Sequence, residues 1–369
     1  MSVDSTSKEI RWGILGTGAI AAHFAEGLAS VPGATLHAVG SRARASADAF
    51  AATHRARRAY GSYEELVRDP EVDVVYVATP NSAHRDNAVL CIEAGKAVLC
   101  EKPFTVDAAE ARQVVELARA RDVFCMEGMW MRFVPLVREL SVLLRGGTIG
   151  DVRMITASLG MPFAFDPAHR VFDPRLGGGA LLDLGVYPVS FAFHLLGRPT
   201  RVSSHAVVGT TGVDEQAMIL LDFPEGRQAA LTTSLRNTTS NDATVMGTDG
   251  MIRVAGPLYR PESLTIHSST PAGGASAMRT RIVARAGRLA RLRQNPLVRD
   301  VRTLVARARE KTVTRRVLGN GYAHEAEEVM RCLRAGERES PVMPLDETLA
   351  IMETMDAIRR DWTRAASRT

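Results

Sequence analysis

At 369 residues the chain exceeds one ordinary hydrophobic core and predicts two domains, each able to bury most of its apolar surface. Hydrophobic residues make up 46% and charged residues 24%, a globular composition, and no run approaches the roughly 20 apolar residues of a membrane helix. The net charge of +5 is uneven: residues 271–317 carry thirteen Arg and Lys against Asp300 and Glu310, so a charge-driven affinity for nucleic acid would rest on that segment alone.

The polar opening, "MSVDSTSKEI", lacks the apolar stretch of a secretion signal and predicts a cytoplasmic protein. The first strand follows, and "WGILGTGAIA" then sets Gly16, Gly18 and Ala21 in a G-x-G-x-x-A pattern at the start of a helix. The first glycine permits a tight turn, the second admits a pyrophosphate to the backbone, and the small third residue lets helix and strand pack. Dinucleotide binding is predicted there, through Gly16, Gly18, Ala19 and Ile20. An NAD site usually ends its second strand in Asp or Glu. Here "VGSRARAS" offers Ser41, Arg42 and Arg44 and no acid before Asp48, the chemistry of a 2′-phosphate site, so NADP(H) is expected over NAD(H). A solvated basic turn is the alternative.

The fourth strand, "VDVVYVATP", delivers Thr79, Pro80 and Asn81, with His84 behind them, to the carboxyl edge where open parallel sheets bind ligands. All four are assigned to the cofactor, with helix capping by Thr79 and Asn81 an equal possibility. The fifth strand ends in "CEKPF". An ammonium at the edge of a hydrophobic sheet needs a partner or a task. Lys102 is therefore expected to polarise a substrate oxygen beside a nicotinamide and exchange a proton, with Glu101 as its carboxylate partner. A structural salt bridge is the alternative.

These strands read as continuous apolar runs separated by helical patterns, which predicts a doubly wound α/β domain with a parallel sheet over 1–128. From about Asp151 the pattern changes to period two. Ala229, Leu231 and Leu235 alternate with Gln228, Thr232 and Ser234, and "FPEGR" and "GTDGM" read as hairpin turns. Residues 129–369 are thus an α+β domain with an open, largely antiparallel sheet. Within it, "GGGALLDLGVYPV" sets Asp183 and Tyr187 one helical turn apart, with Gly185 between them for close approach. A neighbouring Lys102 cation is expected to lower the tyrosine's pKa toward the range of proton transfer. Arg170 stands near enough in sequence to reach a substrate oxygen or make a salt bridge. The segment 271–317 reads as two basic amphipathic helices broken at Pro296, packed on the protein in preference to a membrane surface, and without aromatics for stacking on nucleic acid. Two helices close the chain, the last free to pack back on the first domain. Four cysteines without C-x-x-C spacing predict buried, reduced thiols, and no metal is expected.

The combination of "GILGTGAIA", "CEKPFTV", "GGGALLDLGVYPV" and "GNGYAHEAEEVMRCLRAG" resembles the glucose-fructose oxidoreductase, inositol dehydrogenase and MocA-type (Gfo/Idh/MocA) family, over nearly the whole chain apart from 271–317. Tyrosine at 187 and "MEGMWMRFVP" are similar to the branch with dimeric dihydrodiol dehydrogenase and NADP-dependent xylose dehydrogenases. The resemblance implies a Rossmann domain, a sheet domain used for homodimer or homotetramer assembly, and Lys102 as the catalytic lysine with Tyr187 and Asp183. It also implies a substrate pocket with Trp130, Arg132 and Phe133, to which Arg170 is added. The expected function is NADP(H)-linked hydride transfer to or from a sugar, cyclic polyol or diol, or related carbonyl compound. The alternative is a non-catalytic NADP(H)-sensing regulatory protein of the same fold.

Overall fold

Residues 9–268 and 310–366 are described by the computed structural model. Six short strands, β1 (Ile10–Leu15), β2 (Ala34–Gly40), β3 (Arg58–Tyr60), β4 (Val74–Val77), β5 (Ala97–Glu101) and β6 (Cys125–Gly128), form one sheet in the order β3-β2-β1-β4-β5-β6. Every pairing in it is parallel. The central strands are buried along their whole length, as in β4 and β5, because helices cover both faces, and this is why they read as unbroken apolar runs. Helices α1 (Ala19–Leu28), α2 (Arg44–His54), α3 (Tyr63–Val67), α4 (His84–Glu93) and α5 (Ala108–Ala120) make the crossovers. The order turns back between β1 and β4, so the carboxyl ends of β1, β4 and β5 frame a crevice.

Helix α6 (Pro135–Arg145) leads to an eight-stranded sheet. Its strands are β7 (Val152–Gly160), β8 (Arg201–Val208), β9 (Asp214–Phe223), β10 (Arg227–Ser234), β11 (Ala243–Gly247), β12 (Gly250–Val254), β13 (Ser263–Ser268) and β14 (Glu310–Thr314), ordered β14-β13-β12-β11-β7-β10-β9-β8. All neighbours are antiparallel except β7 and β10, and the long excursion between β7 and β8 packs its helix against both of them. The two anticipated hairpins join β9 to β10 and β11 to β12.

That excursion holds a π-helical turn, Leu181–Gly185, running directly into α7 (Val186–Leu196). The combined helical run Pro174–Leu196 is long and apolar enough to cross a membrane, and 89% of it is buried inside the protein. The sequence reading finds no apolar run of that length; the π-helical turn Leu181–Gly185, which joins α7 without interruption, is what lengthens it. Helices α8 (Ala323–Ala335) and α9 (Leu345–Ala366) close the chain. The last of these docks on α5, where Asp356 accepts the Ala108 N–H at 3.0 Å and Arg359 donates to the Val106 carbonyl at 2.6 Å.

Most of the predicted basic helices falls on 269–309, outside the described residues. The described end of that segment is strand β14, not helix, because Val313 is buried against β13 while Lys311, Thr312 and Thr314 face out. All four cysteines are free and buried.

Candidate functional site

The glycine loop leaves β1 at a turn with no tolerance for a side chain. Gly16 has φ +104°, and a Cβ there would lie 2.6 Å from the Ala78 carbonyl oxygen. At Gly18 a Cβ would meet nothing within 4 Å, so this backbone borders open space. Helix α1 begins at Ala19 and Ile20 with no side-chain cap, which leaves its first N–H groups available to an anion. A tight turn, an open cradle and an uncapped helix start fit a dinucleotide pyrophosphate. Beyond β2, the Ser41 hydroxyl accepts the Ala43 N–H at 3.3 Å and Arg44 pairs with Asp48 at 2.9 Å. Of the two expected cations, Arg44 is thus already engaged, while Arg42 is exposed.

At the end of β4 the polar side chains hold the fold together. Thr79 accepts from Asn87 at 3.0 Å, and Asn81 donates to the Gly177 carbonyl at 3.0 Å, tying the first domain to the second. Neither caps a helix, and Pro80 supplies only the extended residue before a 3-10 turn, Asn81–Ala83. His84 is wholly buried, its ring nitrogens 2.8 Å from the Pro103 carbonyl and 2.9 Å from that of Thr79. Burial holds its pKa below the ordinary value. The ring thus sits inside the turn that carries Lys102, between two backbone carbonyls.

Lys102 leaves β5 through a cis peptide to Pro103. Its Nζ donates to the Asp183 carbonyl oxygen at 2.8 Å, lies 3.7 Å from the Asp183 carboxylate and sits 4.8 Å from the centre of the Tyr187 ring. Lysine, aspartate and tyrosine, separated by more than eighty residues in sequence, meet where β5 ends. The π-helical turn sets this register, and Gly185 lets it settle on β10, since a Cβ there would lie 3.3 Å from a Thr233 methyl. Asp183 is also paired with Arg170 at 2.8 Å. Burial opposes its ionisation, but Lys102 and Arg170 outweigh burial and hold the carboxyl below its ordinary range. Arg170 thus makes the salt bridge. Glu101 is not the ammonium's partner. It accepts the Lys102 backbone N–H at 3.0 Å and the Tyr76 hydroxyl.

The Tyr187 hydroxyl oxygen accepts a hydrogen bond from the Trp130 indole at 2.7 Å. Burial, then the nearby Glu101 charge, hold its pKa well above the ordinary value, although the indole bond pulls the other way. The expectation of a lowered pKa is corrected: Lys102 lies over the ring face, and the surrounding acids and the loss of water decide the sign. What results is a neutral phenol whose oxygen is engaged and whose own O–H is free to donate.

Trp130 stacks on Tyr322 at 4.7 Å between centroids and lies against Tyr259 at 5.6 Å, making an aromatic wall beside Tyr187. Its neighbours in sequence point elsewhere. Arg132 is fully buried, bound to Ser190 Oγ at 2.8 Å and Glu347 at 2.7 Å, and Phe133 is core. The 3-10 turn Trp130–Phe133 sends successive side chains in different directions, so of the three it is Trp130 that meets the Tyr187 phenol. Tyr259, Tyr322 and Glu325 join the site from distant segments; the last two lie in the closing motif "GNGYAHEAEEV", where the sequence does not single them out, and Tyr259 lies in no motif. Among the described residues, His37, Asp69 and Glu71 bring ligand-type atoms within 4.8 Å of one another, but Arg58 pairs with both acids and Tyr60 donates to Asp69.

The family model described as an oxidoreductase family with an NAD-binding Rossmann fold (GFO_IDH_MocA) matches residues 10–129, and that of the GFO/IDH/MocA C-terminal domain matches residues 137–253. Trans-1,2-dihydrobenzene-1,2-diol dehydrogenase of Bos taurus is 35% identical over 355 residues, covering 95% of this chain and 96% of that protein. Among solved structures, aldose-aldose oxidoreductase from Caulobacter crescentus superposes with a TM-score of 0.80 at 21% identity, covering 97% of this chain and 98% of that one. KijD10, a 3-ketoreductase from Actinomadura kijaniata bound to NADP and TDP-benzene, does so with 0.78 at 23%, covering 96% and 98%. The chain belongs to the Gfo/Idh/MocA family and is an NAD(P)-dependent oxidoreductase acting on CH–OH or C=O groups.

Proposed function

We propose that this enzyme is NADP(H)-dependent and transfers hydride to or from a sugar, a cyclic polyol or diol, or a related carbonyl compound, with Tyr187 and Lys102 moving the proton. The observation that carries this reading is the meeting of the Lys102 ammonium, the Asp183 carboxylate and the Tyr187 ring at the carboxyl edge of the parallel sheet. The bound cofactor supplies the hydride chemistry; the chain supplies the rest. The uncapped start of α1 and the open backbone at Gly18 would hold the pyrophosphate. Ser41 and Arg42, in place of an acid, suit a 2′-phosphate, and the 3-ketoreductase relative was crystallised with NADP.

Tyr187 is the proton donor in the reducing direction, because its buried O–H is neutral and its oxygen is steadied by Trp130. Lys102 stabilises the oxyanion that develops, and Asp183, pinned by Arg170, orients the ammonium. The wall of Trp130, Tyr259 and Tyr322 offers flat apolar faces to a ring-shaped substrate. Relatives named for a cyclic diol, a ketoreductase and an aldose agree with that class. The exposed outer face of the large sheet is the surface through which two copies would associate.

The test is turnover by Tyr187→Phe and Lys102→Ala across a panel of diols, aldoses and dicarbonyls. Each variant should lose on the order of 10²-fold or more in kcat while keeping cofactor affinity. Near-normal turnover by Tyr187→Phe would remove the phenol from the mechanism.

A further inference from the structure

Helix α8 buries two acidic side chains, and of these Glu328 is satisfied by Arg331 and Ser340. Glu325 is 0% exposed, and neither of its carboxyl oxygens has a hydrogen-bond partner among the described residues. Its place is fixed by Gly128 at the end of β6, where a Cβ would lie 3.5 Å from Glu325 Oε2 and 3.4 Å from the Glu101 Cα. The carboxyl therefore lies over the strand ends that carry Glu101 and Lys102. Facing this pair are Tyr76 from β4, Lys102 beyond β5, Glu127 from β6, Tyr187 and Asp183 from the helical excursion, Arg170 from its loop, and Tyr322 at the N-cap of α8. The two cations there are both drawn to Asp183, which leaves Glu325 with no cation of its own. Two buried carboxylates over the same strand ends, with the nearby cations engaged by Asp183, are costly to ionise together, so the pair retains a proton. Burial and the Glu101 charge both act in that direction on Glu325.

A proton held in this place is exchangeable for another positive charge. We propose that the Glu101–Glu325 pair is a charge-compensating site for the nicotinamide ring, keeping its proton while the ring is neutral and reduced and giving it up to solvent when the ring is oxidised and cationic. This rests on the reading above, that the ring lies at the carboxyl edge beside Lys102. The step balances without any redox change: one proton leaves the carboxyl pair, and one positive charge arrives on the ring. It would favour the oxidised cofactor as pH rises, with Glu325 as the residue that couples the two.

The experiment is isothermal titration calorimetry of the intact protein with NADP⁺ and with NADPH, each in buffers of different ionisation enthalpy, which counts protons released on binding. Both cofactors carry the same 2′-phosphate, so its titration cancels in the difference. NADP⁺ should release up to one proton more than NADPH, and its affinity should rise by as much as about tenfold per pH unit while the pair is protonated. Glu325→Gln, close in shape but unable to ionise, should abolish the difference, and Glu101→Gln should do the same from the other partner. Equal proton counts for the two cofactors in the wild-type protein, or a difference that survives Glu325→Gln, would overturn the proposal. Failure of both cofactors to bind would instead overturn the cofactor reading on which it stands.

Discussion

Arg42 is an exposed guanidinium at the end of β2, where an NAD-selective site would carry an acid. Its neighbour Arg44 is spent on Asp48, so discrimination should rest on Arg42 and the Ser41 hydroxyl. NADP(H) is expected to bind at least about tenfold more tightly than NAD(H), roughly 1.4 kcal/mol. Arg42→Ala should remove most of that margin with little effect on NAD(H), and fluorescence titration of the four combinations measures it; equal affinities in the wild-type protein would end the argument. Arg42 and Lys102 draw notice in sequence for one reason: each breaks a rule where it stands, a cation in an acid's place or at the end of a buried strand. His84 and Arg132 are polar and close to motifs, and the sequence does not say that both side chains are buried among partners within the fold. Glu325 was hidden in the opposite way. In "HEAEEV" it is one of three acids on an amphipathic helix, and only the packing of α8 on the Rossmann sheet marks it out.

At the scale of elements, the excursion between β7 and β8 decides the geometry of the site, and the Asp214 carboxylate helps to anchor it. Asp214, at the start of β9, accepts the Leu181 N–H at 2.7 Å and stands so near Gly179, at φ +120°, that a Cβ there would lie 2.4 Å from its Oδ1. The glycines of "GGGALLDLG" are visible in sequence, but the strand residue they dock on lies more than thirty positions away, and the π-helical register of Asp183 against Tyr187 has no sequence signal beyond Gly185. Burial pushes the Asp214 carboxyl up to about 6. Its folded pKa is above the unfolded value, so the folded state gains from protonation below pH about 4, and that gain is lost as pH rises through about 6. Ionisation of this group should therefore cost the fold about 2 to 3 kcal/mol at neutral pH. Asp214→Asn keeps an acceptor for Leu181 and cannot ionise. Urea unfolding of both proteins at pH 4 and pH 8 should show their difference in stability moving toward the variant by about that amount. A difference that does not change with pH would mean that the carboxylate is already compensated in the fold.

For the whole molecule, the two sheets are held by α9 and the helical excursion on the inner face of the large sheet, which leaves its outer face without cover among the described residues. Period two forecast strands with one wet face, and the inner row of β9 and β10 obeys it, with Ala217, Ile219, Leu221, Ala229 and Leu231 all buried. In "AMILLD", however, apolar residues occupy both faces. The periodicity that locates a strand cannot say that its outer row is apolar for a reason, because that reason lies outside the chain. Met218 is 70% exposed and Leu220 58%, and Val207, Met154 and Met251 share the outer face across the register of β8, β9, β10, β7, β11 and β12. Exposed apolar side chains spaced along one sheet face, among polar groups and paired charges such as Arg201 with Asp222, suit an isologous dimer in which the two faces pack together. Sedimentation equilibrium at micromolar concentration should find a dimer or larger assembly, and Met218→Lys with Leu220→Lys should give a monomer. The substituted side chains lie far from Lys102 in the fold, on the opposite face of the sheet from α7, so the monomer should retain cofactor binding. A wild-type protein that sediments as a monomer, or a doubly substituted protein that still associates, would mean that this face is not where copies meet.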